Sequence, residues 1–317
     1  MRRLLGPGPL QAVCIATAAA LSVAAWAGSS AGASPRETST APTPQVSPCG
    51  GSATPPTVYD HVIWIWMENK PYHQVIGNSQ APYETALAEQ CATATRYSSV
   101  GSPSLPNYIG ATSGSTQGIS DDASPSAHRI TADNLFRQVR AQGGTARSFE
   151  ESMVGSCNLG NSGRYAVKHN PAAYYVGDSD RAACRTDDIP LGSLRSGALR
   201  RDIDANTLPT FAFVTPNLCN DTHDCSVSAG DRWLRQLVPL LLGSDSYAAG
   251  KTAIFVVWDE DSPMPFIALA PTVPAGTVES AKVDHYALLR TTEEMLGIPM
   301  RLAAAAGAPS MRASLHL

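Results

Sequence analysis

The chain has 317 residues, of which 43% are hydrophobic and 16% charged, and its formal net charge is −4. That length holds one large domain or two small ones, and the charged share lies below the roughly 25% of an average soluble domain. The chain carries no basic field, so no nucleic-acid partner is expected.

The amino terminus reads as an export signal. Arg2-Arg3 opens it, an apolar stretch runs from about Leu10 to Ala25, and Ala25-Trp26-Ala27 and Ala31-Gly32-Ala33 are candidate cleavage sites. A retained membrane anchor is the alternative, for which the apolar run is short. Residues 1–33 are therefore expected to be removed and the mature chain to be secreted. No later segment is long and apolar enough to span a bilayer, so no stable membrane span is expected after removal. Residues 34–56 are rich in Pro, Ser and Thr and predict a flexible linker, followed by one domain over residues 57–317. Of the seven cysteines, Cys14 falls in the signal. Cys49, Cys91, Cys157, Cys184, Cys219 and Cys225 remain, an even set that indicates three disulfides in an exported chain. Pairing sequence neighbours gives Cys49–Cys91, Cys157–Cys184 and Cys219–Cys225. A thiol metal cluster is disfavoured, because no CxxC pair is present.

The first element is the continuous apolar run from His61 to Met67, which predicts a buried strand of the parallel type. It stops at Glu68-Asn69, and Lys70-Pro71 breaks the strand. Residues 82–92 predict a surface helix with Pro82 near its start. Ser104-Leu105-Pro106-Asn107-Tyr108 follows. Ser is a favoured N-cap and Pro suits a first turn, so a helix is expected to begin near Pro106 with Ser104 at its mouth. By itself Ser104 reads first as a simple cap, since a capping Ser is common, and the rest of the chain supplies the case for chemistry. Residues 131–141 fit an amphipathic helix ended by Gly143-Gly144. Residues 146–185 look irregular, a length of loop that is usually functional or tied down. Phe211–Val214 predicts a second strand, and the loop after it carries Asn220, Asp221, His223 and Asp224 between Cys219 and Cys225. Residues 231–242 predict a helix despite Pro239, Thr252–Trp258 a third buried strand, and Phe266–Ala270 a fourth. His285 opens a last helix that Gly297 and Pro299 terminate. The fold class is α/β, a mostly parallel central sheet flanked by helices.

Two predicted buried strands thus end in polar pairs, Glu68-Asn69 and Asp259-Glu260. In a parallel sheet the carboxyl ends of the strands share one edge, where open α/β folds place their ligands. Three carboxylates and an amide at one edge repel unless a cation joins them. Hard oxygen donors suit a divalent ion such as Mg, Mn, Ca or Zn, whose identity the sequence leaves open. A metal beside Ser104 would lower its hydroxyl pKa and fix a phosphoryl oxygen. His223 and His285 are candidates to hold or protonate the other oxygens. Ordinary loop bonding for His223 and helix capping for His285 remain open beside that role.

The succession HVIWIWMEN, APY…LA…C…Y, PSLPNY…SG, TPN…D.HD, VVWDED and HYALLRTTEEMLG resembles the bacterial phosphoesterase family of secreted acid phosphatases and phospholipases C, within the alkaline phosphatase-like superfamily. The resemblance covers about residues 58–300. It implies an alkaline phosphatase-like fold and a divalent metal ion held by Glu68, Asn69, Ser104, Asp259 and Glu260. It also implies Ser104 as the nucleophile, by analogy with the Thr of the TFPNH motif in related nucleotide pyrophosphatases. His223 fits a D-x-H position and His285 an HY-LL position, both implied in catalysis, and Asn107, His169 and Asp221 are expected in the substrate pocket. The additional carboxyl-terminal domains of the phospholipases C are not expected in a chain of this length, and little separates Glu260 from the next strand. Both departures favour a small, open site and a phosphomonoesterase. The expected function is a secreted, metal-dependent acid phosphatase that hydrolyses phosphorylated small molecules through a phosphoserine. A phosphodiesterase or phospholipase C on the same site, and a non-catalytic binding protein on this scaffold, are the alternatives. A serine esterase is disfavoured, since no GxSxG surrounds Ser104.

Overall fold

A computed structural model of the chain describes residues 47–51, 54–177 and 179–317. The signal expected over residues 1–33 and the linker up to residue 46 lie outside the described residues.

The strands are β1 (His61–Met67), β2 (Ala92–Ala94), β3 (Tyr97–Ser98), β4 (Ala146–Glu150), β5 (Asp188–Pro190), β6 (Phe211–Thr215), β7 (Thr252–Trp258), β8 (Phe266–Leu269), β9 (Thr277–Glu279) and β10 (Val283–Asp284). Eight of them make one sheet in the order β5-β4-β6-β1-β7-β8-β2-β9. The β5–β4, β4–β6, β6–β1, β1–β7 and β2–β9 pairs are parallel, while β8 runs antiparallel to β7 and β2. The mostly parallel α/β sheet expected from the sequence is present.

The central strand β1 forms because its branched and aromatic side chains fit a pleated surface covered on both faces. Residues Val62 to Met67 are fully buried. Trp64 meets Phe211 edge-on at 5.0 Å, and its indole N–H donates to Thr292 Oγ1 at 3.0 Å. The register along β1 and β7 runs from His61 opposite Thr252 to Met67 opposite Trp258.

The helices are α1 (Tyr72–Val75), α2 (Pro82–Gln90), α3 (Ser104–Ser113), α4 (Leu135–Ala141), α5 (Asp180–Asp187), α6 (Ala198–Asp204), α7 (Val227–Leu242), α8 (Asp245–Ala248) and α9 (His285–Met295). None is long and apolar enough to cross a membrane. α4 starts later than the sequence predicts, because the Asn134 side chain caps it by accepting from Arg137 N. β4 is the larger surprise, since it lies in the stretch expected to be irregular. Its buried Ser148 and Glu150 hide the apolar signal of a strand. Ser148 Oγ donates to Glu150 Oε1 at 2.7 Å, and Thr215 Oγ1 donates to the same oxygen at 3.2 Å, which satisfies the polar groups locally.

All three expected disulfides are present: Cys49–Cys91, Cys157–Cys184 and Cys219–Cys225. The first changes the picture of the linker. Cys49 is 2% exposed, and the Tyr247 hydroxyl donates to the Pro48 carbonyl, so residues 47–51 are held on the domain. A flexible linker therefore does not extend through residue 56.

Glu293 on α9 gives a pH test of the core. It is fully buried and accepts from Leu302 N at 2.9 Å. Burial pushes its carboxyl from 4.5 up to about 7. The unfolded chain releases this proton near 4.5 and the folded chain holds it to about 7, so the stability contribution is lost as pH rises across that window. The effect is on the order of 3 kcal/mol. Glu293→Gln keeps the acceptor for Leu302. Thermal melts should find variant and wild type close at pH 4.5 and the variant higher by roughly 6–12 °C at pH 8. Equal melting points at pH 8 would overturn the assignment.

Candidate active site

The β1–β7 register sets the site. Because Met67 lies opposite Trp258, Glu68 and Asp259 leave the sheet side by side, and Asp259 N donates to Met67 O at 3.1 Å. Both carboxylates are fully buried. Asn69 follows with φ of 30°, in the left-handed region that Asn tolerates better than most residues. That turn lets Asn69 N donate to Asp259 Oδ1 at 3.1 Å. The Asn69 side-chain oxygen faces Glu68 Oε2 and Asp259 Oδ1; turned about, the amide nitrogen donates to both, at 2.5 and 3.0 Å. An amide oxygen among carboxylates is stable only with a cation between them, whereas the turned amide bridges the pair without one.

Ser104 is the first residue of α3, not its cap. Pro103 holds the N-cap position, and no side chain caps there. Asp122 supplies the missing acceptor, since its Oδ1 takes Leu105 N at 3.0 Å. The Ser104 hydroxyl is thereby free to point into the site. It donates to Glu68 Oε2 at 3.3 Å and lies within hydrogen-bonding reach of Asp259 and Glu260. Glu260 is half-buried and accepts from Ser102 Oγ at 3.3 Å. The structure thus gathers Glu68, Asn69, Ser104, Asp259 and Glu260 around one point.

A second wall comes from the loops. A short 3-10 turn, Val167–His169, places His169 flat against Tyr108 with ring centroids 5.3 Å apart. Its Nε2 lies 3.1 Å from Glu68 Oε1 and its Nδ1 3.4 Å from Asp221 Oδ2. Asp221 is fully buried and its other oxygen accepts from His223 N at 2.7 Å. His223 stands at the mouth with 30% of its side chain exposed, and its Nδ1 is 2.7 Å from Asp224 Oδ1. Glu68, His169 and His223 present ligand atoms within 4.8 Å of one another, close enough to hold a metal ion. The Cys219–Cys225 disulfide closes the loop that carries Asp221 and His223.

Two expected site residues serve elsewhere. Asn107 does not face a substrate. It is fully buried, its oxygen accepts from Val100 N and Gly101 N at 2.9 Å each, and its nitrogen donates to Gly101 O and Pro103 O. It fastens the loop before Ser104 to α3. His285 is likewise fully buried. Its Nε2 lies 2.8 Å from the Asp259 carbonyl, an acceptor, so Nε2 carries the proton. Nδ1 therefore accepts from the Tyr97 hydroxyl at 2.8 Å. Burial lowers the ring's pKa to about 4. A neutral imidazole with both nitrogens occupied cannot protonate a leaving group; His285 holds the Asp259 backbone in place.

Other residues escaped the sequence. The Tyr108 hydroxyl donates to Glu68 Oε1; it lies one helical turn after Ser104, a spacing that puts both on one face. Lys168 Nζ lies 3.5 Å from Ser104 Oγ and 3.0 Å from Asp122 Oδ2. Its only sequence signal is its place beside His169.

The electrostatics are those of a buried acid cluster. Burial, then Asp259 and Asp221, push Glu68 well above the ordinary carboxylate range. Burial raises Asp259 and Asp221 to about 7 each. Burial also drives His169 well below its usual value, with Lys168 and His223 adding to the effect. Among the described residues, Asp259 Oδ2, Asp221 Oδ2 and His169 Nε2 are buried without a hydrogen-bond partner. Orphaned hard donors of this kind fit a divalent cation.

The acid cluster beside a helix-borne serine lies at the carboxyl edge of the sheet, where α/β folds place their ligands, and the family and relatives that the chain matches place it among hydrolases acting on phosphoric ester bonds. The fold is that of the alkaline phosphatase superfamily. A member of that superfamily from Vibrio parahaemolyticus superposes with a TM-score of 0.52 at 12% identity, covering 86% of this chain and 76% of that one. The chain belongs to the Phosphoesterase family, whose match spans residues 65–299. It is 30% identical over 265 residues to a phosphatidylinositol-3-phosphatase of Mycobacterium tuberculosis, covering 81% of this chain and 82% of the relative. It is 26% identical over 263 residues to an acid phosphatase of Aspergillus fumigatus, covering 76% of this chain and 56% of the relative. The chain therefore spans little more than half the length of that fungal enzyme.

Proposed function

We propose that the chain is an exported, metal-dependent phosphomonoesterase in which Ser104 forms a phosphoserine. The observation that carries this reading is the Ser104 hydroxyl set 3.3 Å from Glu68 Oε2 within the cluster of Asn69, Asp259 and Glu260. The names of the similar phosphatases support the monoester class. Glu68, Asn69, Ser104, Asp259 and Glu260 would hold a divalent cation, which when bound lowers the hydroxyl's pKa and offsets phosphoryl charge.

The chain's own residues supply the rest. Ser104 Oγ attacks phosphorus in line, its proton passes toward Glu68, and the bond to the leaving oxygen breaks. His223, the partly exposed imidazole at the mouth, gives that oxygen a proton. Water then attacks the phosphoserine and gives a proton to His223, the bond from phosphorus to Ser104 Oγ breaks, Glu68 returns its proton to that oxygen across the 3.3 Å contact, and inorganic phosphate leaves. Asp221 and Tyr108 keep His169 and Glu68 oriented. Export is supported by the three disulfides in the domain together with the signal-like amino terminus.

The test is phosphate release from p-nitrophenyl phosphate beside bis-p-nitrophenyl phosphate, with metals stripped by a chelator and then restored. We expect metal-dependent cleavage that favours the monoester by at least ~10-fold, which needs about 1.4 kcal/mol of extra transition-state binding. Preference for the diester would move the assignment to a phosphodiesterase on the same residues. No cleavage of either by metal-loaded protein would overturn the catalytic reading.

A further inference from the structure

We propose that Lys168 selects a dianionic phosphate monoester over a monoanionic diester; the inference rests on the reading of Ser104 given above. Every other charged side chain that reaches the Ser104 hydroxyl is a carboxylate: Glu68, Asp259 and Glu260. Among the described residues, no other Lys or Arg bonds to Ser104 or to these three acids. Lys168 brings an ammonium to 3.5 Å from Ser104 Oγ.

An ammonium has three N–H donors. One lies on Asp122 Oδ2 at 3.0 Å and one faces Ser104, which leaves a third for a phosphoryl oxygen. The group is also fixed from two sides. Asp122 is bonded to Leu105 N in the first turn of α3, the turn that carries Ser104. Lys168 itself sits in the same short turn as His169, whose ring is clamped against Tyr108. The side chain is 21% exposed, so substrate reaches it from solvent. At pH 8 a monoester carries two negative charges, its second pKa being about 6, and a diester carries one. The additional charge of the monoester meets the ammonium, while the diester presents a neutral ester arm there.

The experiment compares Lys168→Gln and Lys168→Arg with wild type on both nitrophenyl substrates at pH 8. It adds calorimetric titration with inorganic phosphate, run in turn with each divalent metal used in the restoration series. Lys168→Gln is expected to lower monoester kcat/KM by roughly 10–100-fold and diester kcat/KM by about 3-fold or less. Phosphate affinity should fall by about 10-fold or more, and Lys168→Arg should recover part of each loss. Asp122→Asn leaves the ammonium but frees it, and should give an intermediate loss. Equal losses on both substrates, or unchanged phosphate affinity in Lys168→Gln, would overturn the assignment. If wild type cleaves neither substrate, the phosphoserine reading fails, yet the titration still decides on Lys168. Weaker phosphate binding in Lys168→Gln then upholds its role. Equal binding, or no binding by wild type, rejects it.

Discussion

Ser104→Ala is expected to lower monoester turnover by at least ~10³-fold, the scale on which enzymes lose rate when a covalent nucleophile is removed. The loss should fall on kcat, because ground-state contacts from Lys168 and the rest of the cluster remain. The fold should survive. Ser104 is 1% exposed and its hydroxyl makes no cap bond, since Asp122 serves α3 in its place. Metal content should be retained, because Glu68, Asn69, Asp259 and Glu260 are untouched. Rapid quenching with a radiolabelled monoester distinguishes this from a general loss of activity. Wild type should carry acid-stable label on the peptide containing Ser104, and the variant none. Labelling of the variant, or turnover near wild type, would remove Ser104 from the role of nucleophile.

Asp259→Asn is expected to move stability in opposite directions with and without metal. The side chain is nearly isosteric, and its oxygen can still accept from Asn69 N, which reaches Asp259 Oδ1 at 3.1 Å in the parent. The change removes one of several buried like charges. Metal-free variant should therefore melt higher than metal-free wild type at pH 8, by on the order of 1–3 kcal/mol of relieved repulsion and desolvation. The same change removes a hard anionic donor, so metal affinity should fall by about 100-fold or more. A free metal level 100 times the wild-type Kd stabilises wild type by about 2.7 kcal/mol, and that gain should nearly vanish in the variant. Thermal melts with and without metal read both effects. A variant that gains as much from metal as wild type would show that Asp259 is not a ligand.

How far the sequence could be read depended on whether a residue's role was local. Glu68 and Asp259 were legible because each follows an unbroken apolar strand, and parallel pairing brings such ends to one edge. The disulfides were legible because each joins neighbouring cysteines. β4 was not, since Ser148 and Glu150 are buried polar residues satisfied by partners from their own strand and from β6. His285 shows a different limit. A histidine that opens a helix in an HY-LL position reads as chemistry, yet its bonds to Tyr97 and to the Asp259 carbonyl close both nitrogens. Asn107 sits in the very motif that marks Ser104, but its four bonds all go to the adjoining backbone. Lys168 and Asp122 meet only through the folding of distant loops, which no spacing rule reports.

The pairing of Met67 with Trp258 has a consequence for how this chain tolerates change. Both β1 and β7 are apolar on both faces, so hydrophobic patterning alone does not distinguish one alignment of the two strands from the next. A point substitution within either strand acts on packing, and neighbouring side chains can adjust to it. Insertion or deletion of a single residue acts on alignment instead. It would shift Glu68 relative to Asp259 by one rise, about 3.3 Å, and turn its side chain to the opposite face. Length is therefore the property of these two strands that heredity must guard most closely, ahead of the identity of any one hydrophobic residue within them.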